Sequence, residues 1–244
     1  MLSLNALAFA IAIYATITYI FKLAAFRKLG LKTKINLEHS TRRNLFFIIS
    51  PDLWWATKFK DRIYYAAPDA SKSNRRKFVI ENNHLNLWVS FAFCALTLST
   101  AYFHPTSYCL ELMLSIAVIR FISRCIEILY AFVKDAFQPS NAPTATNLAS
   151  NERIKLAAKS YVETYFLSAP PYLILTTLLD PFAAMSLSLN VGTLTNVGLA
   201  FADPSKALEA NIVFIQVFTT LSLVVFSFAM YLARPQIDQK QDDN

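Results

Sequence analysis

The strongest constraint on this chain is a set of apolar runs, each about as long as a bilayer is thick. A hydrocarbon core of ~30 Å takes ~20 helical residues. Leu4 to Phe21, Leu85 to Phe103, Tyr161 to Leu179 and Ala210 to Ala233 reach that length with hardly a charge among them. Tyr108 to Val133 is long enough for one more span, although it carries Glu111, Arg120, Arg124 and Glu127. Hydrophobic residues make up 55% of the sequence, more than a soluble fold of this size needs. The expected class is an all-α integral membrane protein with five transmembrane helices.

Charge sets the expected orientation. The formal net charge of +7 comes from lysines and arginines that crowd beside the apolar runs. Cytoplasmic loops carry their basic residues there, and a nucleic-acid face would not, so no directly bound nucleic acid is expected. A basic cluster (Lys22, Arg27, Lys28, Lys32, Lys34) follows the first run instead of preceding it, which reads as an uncleaved span and not a signal peptide. The segment from Lys22 to Asn83 is then cytoplasmic, with the amino terminus outside and the carboxyl terminus in the cytoplasm, as in a multi-pass protein of a bacterial inner membrane.

Organisation follows from these runs. Residues 1–25 form an N-terminal transmembrane helix and 26–84 a basic cytoplasmic or interfacial segment. Residues 85–135 hold two transmembrane helices, the second of them charged. The Pro/Ser/Asn/Thr-rich stretch 136–159 is a cytoplasmic linker. Residues 160–235 end in the last span, and 236–244 are a cytoplasmic tail. Within 26–84, "NLFFIISPDLWW" gathers Phe46, Phe47, Trp54 and Trp55 between basic flanks. Such a stretch lies in the lipid headgroup layer, packs as a small cytoplasmic subdomain, or docks a soluble protein partner.

Arg120, Arg124 and Glu127 share one stripe of the third span, where charge costs at least ~2.5–3.5 kcal/mol per residue. They cannot face lipid. Arg124 and Glu127 stand three apart and can pair, and Glu163, at the start of the fourth span, is a further partner for Arg120 or Arg124. Two arginines followed by a glutamate are too few for a voltage sensor, so the expected role is an ion-pair network clamping the first three spans to the last part of the chain.

No catalytic constellation is present in the sequence. Cys94, Cys109 and Cys125 lie in apolar runs without paired spacing, and His39, His84 and His104 are scattered, so neither a metal site nor an enzyme is expected.

The chain has three glycines, and two of them, Gly192 and Gly198, fall in "SLSLNVGTLTNVGLAFADP". From Phe182 to Phe201 there is no charge, yet Ser, Asn, Thr and Gly are too frequent for a lipid-facing helix. Irregular backbone at membrane depth is tolerated only where protein or a water-filled cavity covers it. A short helix followed by an extended re-entrant strand meets both conditions.

"TLTNVGLAFADP" resembles the pore loop of the two-span potassium channels, usually TLTTVGYGD followed by a proline. "SYVETYFLSAPPYLILTTLL" is similar to the outer helix of that module, "DPFAAMSLSLNVG" to its pore helix and "ALEANIVFIQVFTTLSLVVFSFAMYLARP" to its inner helix, so that the likeness covers about residues 160 to 235. The resemblance implies a homotetramer, because one chain supplies one pore loop, and a filter formed by Thr195, Asn196, Val197, Gly198, Leu199 and Ala200 whose carbonyls coordinate a permeant monovalent cation. No other cofactor is implied.

The departures from the family bear on selectivity. Ala200 stands where the family has its second glycine, and a left-handed alanine costs ~1–2 kcal/mol. Leu199 lacks the tyrosine hydroxyl that braces the family's filter. Asn196 replaces a threonine at the inner ion site. Phe201 stands in place of an aspartate, while Asp203 can supply an acidic outer mouth. On the last span Gln216, Thr220, Leu223 and Ser227 fall on one helical stripe. In the channel reading the stripe lines the inner cavity; otherwise it is hydrogen-bonding glue between helices.

The function expected from the sequence is thus a tetrameric cation channel-like protein with a relaxed filter, gated by a partner, by lipid or by its basic cytoplasmic segment. The alternative is a non-conducting membrane anchor or effector subunit that recruits a soluble partner through the same segment.

Overall fold

The structure, a computed structural model, describes residues 4–30, 47, 49–137, 146–175, 179–195, 197 and 207–225. Among these residues it is all-helical and contains seven helices. They are α1 (Leu4–Arg27), α2 (Pro51–Ala66), α3 (Ser71–Phe103), α4 (Tyr108–Ala136), α5 (Ser150–Tyr172), α6 (Pro181–Gly192) and α7 (Ala207–Ser222).

Local chemistry accounts for where several of these helices begin. Ser50 caps α2 by accepting from the Leu53 amide, with Pro51 supplying the fixed φ of the first turn. Ser107 caps α4 through the Leu110 amide, so "HPTSY" closes a tight α3–α4 hairpin. Asp180 caps α6, again followed by a proline.

Two helices, α1 and α3, are long and apolar enough to cross a membrane. α3 is 33 residues long and runs unbroken through the boundary expected at residue 84, since nothing between Ser71 and Leu85 breaks a helix. Asn82, Asn83 and Asn86 are buried along it, which ties the basic half of α3 into the bundle. α5 was expected to reach Leu179 but ends at Tyr172, directly after Pro170 and Pro171. The Leu173, Ile174 and Leu175 amides donate to the carbonyls of Pro170, Pro171 and Tyr172, a tight terminal turn that takes up groups the prolines would leave unpaired.

Contacts between helices fix their directions. α3 and α5 run parallel at nearly constant register, with Arg76 on Glu152, Asn83 on Ser160 and Phe91 on Phe166. α4 runs against α5, with Arg124 on Glu163 and Arg153 on Asp135. α1 runs with α4, and α2 lies along α1, from Asp52 near Tyr14 to Phe59 against Phe26. The helix ends bearing Arg27, Arg75, Arg76, Lys134 and Arg153 therefore gather at one end of the bundle, the basic end.

The largest core joins α3 to α7 through Leu110, Phe121, Leu167, Tyr172, Val191 and Ile212. A smaller aromatic core at the basic end contains Phe26, Phe59, Ile63 and Phe78, flanked by Tyr19 and Trp55. The aromatic segment thus packs on α1, α3 and α4 over its helical part, while Tyr64 and Tyr65 stay exposed. Phe46 lies outside the described residues.

Candidate functional site

Four polar residues of α4, Arg120, Ser123, Arg124 and Glu127, follow i, i+3, i+4, i+7 spacing and are all buried. Arg124 sits at the centre. Its Nε and Nη2 hold the two Glu163 oxygens at 2.7 and 2.9 Å, and its Nη1 holds Glu127 Oε2 at 2.5 Å. Glu163 is fully buried, so this fork-to-fork pairing is what allows a carboxylate at that place.

The network extends beyond the residues that sequence spacing singles out. Lys22 of α1 donates to both Glu127 oxygens at 3.0 and 3.1 Å and to Asn82 Oδ1 at 3.3 Å, and it lies 3.8 Å from Asp52 Oδ1. Asp52 Oδ2 accepts from the Tyr14 hydroxyl and from Ser123 Oγ. Expected in a cytoplasmic cluster, Lys22 is instead only 1% exposed. The signal was available: Tyr14, Thr18 and Lys22 repeat every four residues and form a buried polar stripe on α1. Nothing local marks Asp52, whose position after Ser50 and Pro51 reads as capping alone.

Arg120 does not reach Glu163. It turns to α3, where Nη2 donates to Ser90 Oγ at 2.9 Å and to the Asn86 carbonyl at 3.4 Å. The six ionisable groups Lys22, Arg120, Arg124, Asp52, Glu127 and Glu163 sum to zero charge. Neutrality lets so many charges share a buried interior, since an unmatched one costs several kcal/mol.

A second polar cluster joins α5, α6 and α7. Ser168 and Ser188 hydroxyls meet at 2.7 Å, and Ser188 donates to the Tyr165 carbonyl. Gln216 accepts from the Tyr172 hydroxyl at 2.5 Å and donates to the Ser188 carbonyl at 3.0 Å. The Tyr161 hydroxyl donates to the Gly192 carbonyl at 3.1 Å. A Cβ on Gly192 would stand 3.0 Å from Gln216 Nε2, tighter than an ordinary contact, so the glycine leaves room for that hydrogen-bonded amide.

Of the stripe expected on the last span, Gln216, Thr220 and Leu223 are 0%, 2% and 0% exposed. Gln216 acts as hydrogen-bonding glue between α5, α6 and α7, and with Thr220 it also borders a small apolar cleft beside Tyr161, Leu189 and Gly192. The outward face of α7 carries Phe214, Phe218 and Leu221, and Val225 is exposed just beyond its end. Ser227 lies outside the described residues.

α6 ends in a Schellman arrangement: the Leu194 amide donates to the Val191 carbonyl and the Thr195 amide to the Asn190 carbonyl. Leu194 takes φ 59°, a place usually held by glycine. Of the expected filter, Thr195 is exposed with its hydroxyl near Asn190 and Thr193, and Val197 packs on the main core. Asn196, Gly198, Leu199, Ala200 and the outer-mouth Asp203 lie outside the described residues.

At the basic end a cavity of about 320 Å³ opens between α2, α3, α4 and α5. Lys60 projects into its wall. Burial pushes the Lys60 pKa below the ordinary lysine value; Glu127 acts to raise it, while Lys22, Lys134 and Arg124 lower it further.

No family model matches the chain, and no curated protein or solved structure proved similar to it. The functional reading rests on the geometry.

Proposed function

We propose that the chain is a multi-pass membrane protein whose α5–α6–α7 unit is the pore-loop module of a homotetrameric, weakly selective cation channel-like protein. One observation carries this reading. α6 has 12 residues, about 18 Å at 1.5 Å each, a little over half a bilayer. It runs against α5, since Ser188 lies by Ser168 and Gly192 by Tyr161. α7 also runs against α5, since Gln216 meets Tyr172 and Leu223 meets Ala157. Two successive helices with the same direction need a connection that reverses it. A half-length helix, a return and a second helix in the same sense make the topology of a re-entrant loop.

The distribution of polarity supports a lipid surround. Phe9, Ile20, Leu96, Phe218 and Val225 are exposed while Lys22, Arg124 and Glu163 are buried. That is the arrangement expected where the solvent is hydrocarbon and intramembrane charges face the bundle interior. The five-span orientation places the basic end in the cytoplasm. Because the polar stripe of α7 faces inward, an axial wall would be built from Phe214, Phe218, Leu221 and Val225. Such a wall closes by dewetting, so the resting state is shut.

Purified protein in planar bilayers tests the reading. A stable tetramer by native mass spectrometry together with cation current is the expected result. A monomer in that measurement, or no current under any gradient, removes it.

A further inference from the structure

The cavity at the basic end has a composition that the charge network does not explain. Its walls carry five cationic side chains, Lys60, Arg75, Arg124, Lys134 and Arg153, against three carboxylates, Asp61, Glu127 and Asp135. Behind the wall Lys22 and Glu163 add one charge of each sign, so the excess stays positive. Two of the cations are committed: Arg124 to Glu127 and Glu163, and Arg153 to Asp135.

The other three form no ion pair among the described residues. Arg75 Nε donates to the Lys60 carbonyl at 3.1 Å, with its guanidinium over the Tyr64 ring. Lys134 lies over the Tyr130 ring. Among the described residues Lys60 has no hydrogen-bond partner for its ammonium; it feels the attraction of Glu127 and, against it, the repulsion of Lys22, Lys134 and Arg124. On the same wall Asn83 Oδ1 is buried without a partner among the described residues, although its Nδ2 donates to Ser160 Oγ at 2.8 Å. A buried acceptor left open beside unpaired donors is a costly arrangement unless something fills it.

We propose that this cavity binds a phosphate-bearing anion, held by Lys60, Lys134 and Arg75, with Asn83 Oδ1 accepting from a hydroxyl on the ligand. Several donors converging from three helices suit the three oxygens of a phosphate better than the two of a carboxylate. The volume fits a small phosphorylated molecule or a lipid headgroup. Leu53, Ala56, Ile128 and Leu156 supply an apolar wall for the part that bears no charge. Binding would brace α2 against α3 and α4 beside the Arg124 network, which joins the first half of the chain to α5. The site stands whether or not α5–α7 conducts.

The test uses the full chain in nanodiscs and reads binding instead of current. In one arm the discs are phosphatidylcholine alone and glycerol 3-phosphate is titrated, followed by ³¹P NMR. In the other, phosphatidylinositol 4-phosphate, which carries both a phosphate monoester and free hydroxyls, is mixed into the discs and retained lipid is counted by native mass spectrometry. Saturable binding in either arm, weakened about tenfold or more by Lys60→Gln and again by Lys134→Gln, is expected. Binding in the first arm assigns a free phosphate, and binding only in the second assigns a headgroup. Lys72→Gln, on the exposed start of α3, is the control and should change nothing. Absence of saturation in both arms, or an equal loss in the Lys72 control, overturns the proposal. Unchanged melting of the lysine variants without ligand separates lost binding from lost folding.

Discussion

Arg124 and Glu163 face each other across the α4–α5 contact through two hydrogen bonds of 2.7 and 2.9 Å, with both side chains buried. This pair joins a helix of the charged hairpin to the first helix of the proposed pore module, and Glu127 and Lys22 carry the link on to α1.

Breaking the pair should therefore be costly. Arg124→Ala leaves Glu163 buried without its cation and should lower stability by about 3–5 kcal/mol. Exchanging the two residues, Arg124→Glu with Glu163→Arg, should recover part of the loss. Thermal unfolding of the detergent-solubilised chain reads both, and an Arg124→Ala melt equal to that of the wild type would show that the pair does not hold α4 to α5.

The end of α6 offers two substitutions of opposite sign. Leu194→Gly relieves a left-handed leucine and should stabilise by about 1 kcal/mol. Gly192→Ala pushes a methyl against Gln216 Nε2 and strains its bond to Ser188, so it should destabilise by about 1 kcal/mol. Equal melting temperatures for the two variants would rule out this description of the turn.

Acid should loosen the basic end. The hydrogen bonds from Arg76 hold the Glu152 carboxyl below the ordinary glutamate range, against the opposing effect of its partial burial. A carboxylate whose pKa is lowered on folding contributes stability that is complete above its unfolded value, about pH 4, and is lost as pH falls through the folded value. Both side chains are partly exposed, so the effect is modest. Stability of the wild type should fall more steeply below pH 4 than that of Arg76→Gln; parallel curves would show that the contact adds nothing.

Selectivity tests the channel reading most directly. In the proposed filter Ala200 would resist a left-handed backbone and Leu199 would offer no hydroxyl to anchor the strand, so potassium and sodium should be separated weakly. Ala200→Gly with Leu199→Tyr should raise the preference for potassium. The bi-ionic reversal potential measures this, and a wild-type value near the potassium equilibrium potential would contradict the argument.

What the sequence determined by itself was local. Helix starts at Ser50, Ser107 and Asp180 depend on side chains two or three residues from the amides they cap. The stop of α5 depends on two adjacent prolines, and the stripe of Arg120, Arg124 and Glu127 on helical periodicity. The pairing of Arg124 with Glu127 was legible for the same reason. Tertiary packing alone decided the rest. It brought Lys22 to Glu127 across 105 positions of sequence, and set Tyr14 against Asp52 across 38. It also decided which way the polar stripe of α7 faces. Periodicity puts Gln216 and Thr220 on one face but cannot say whether that face meets its own chain or a cavity. Tyr172, Ser188 and Gly192 turn Gln216 toward its own chain by offering it hydrogen bonds and a gap where no Cβ stands. A buried amide goes where its donors and acceptors are satisfied, and those partners are placed only once α5, α6 and α7 have packed.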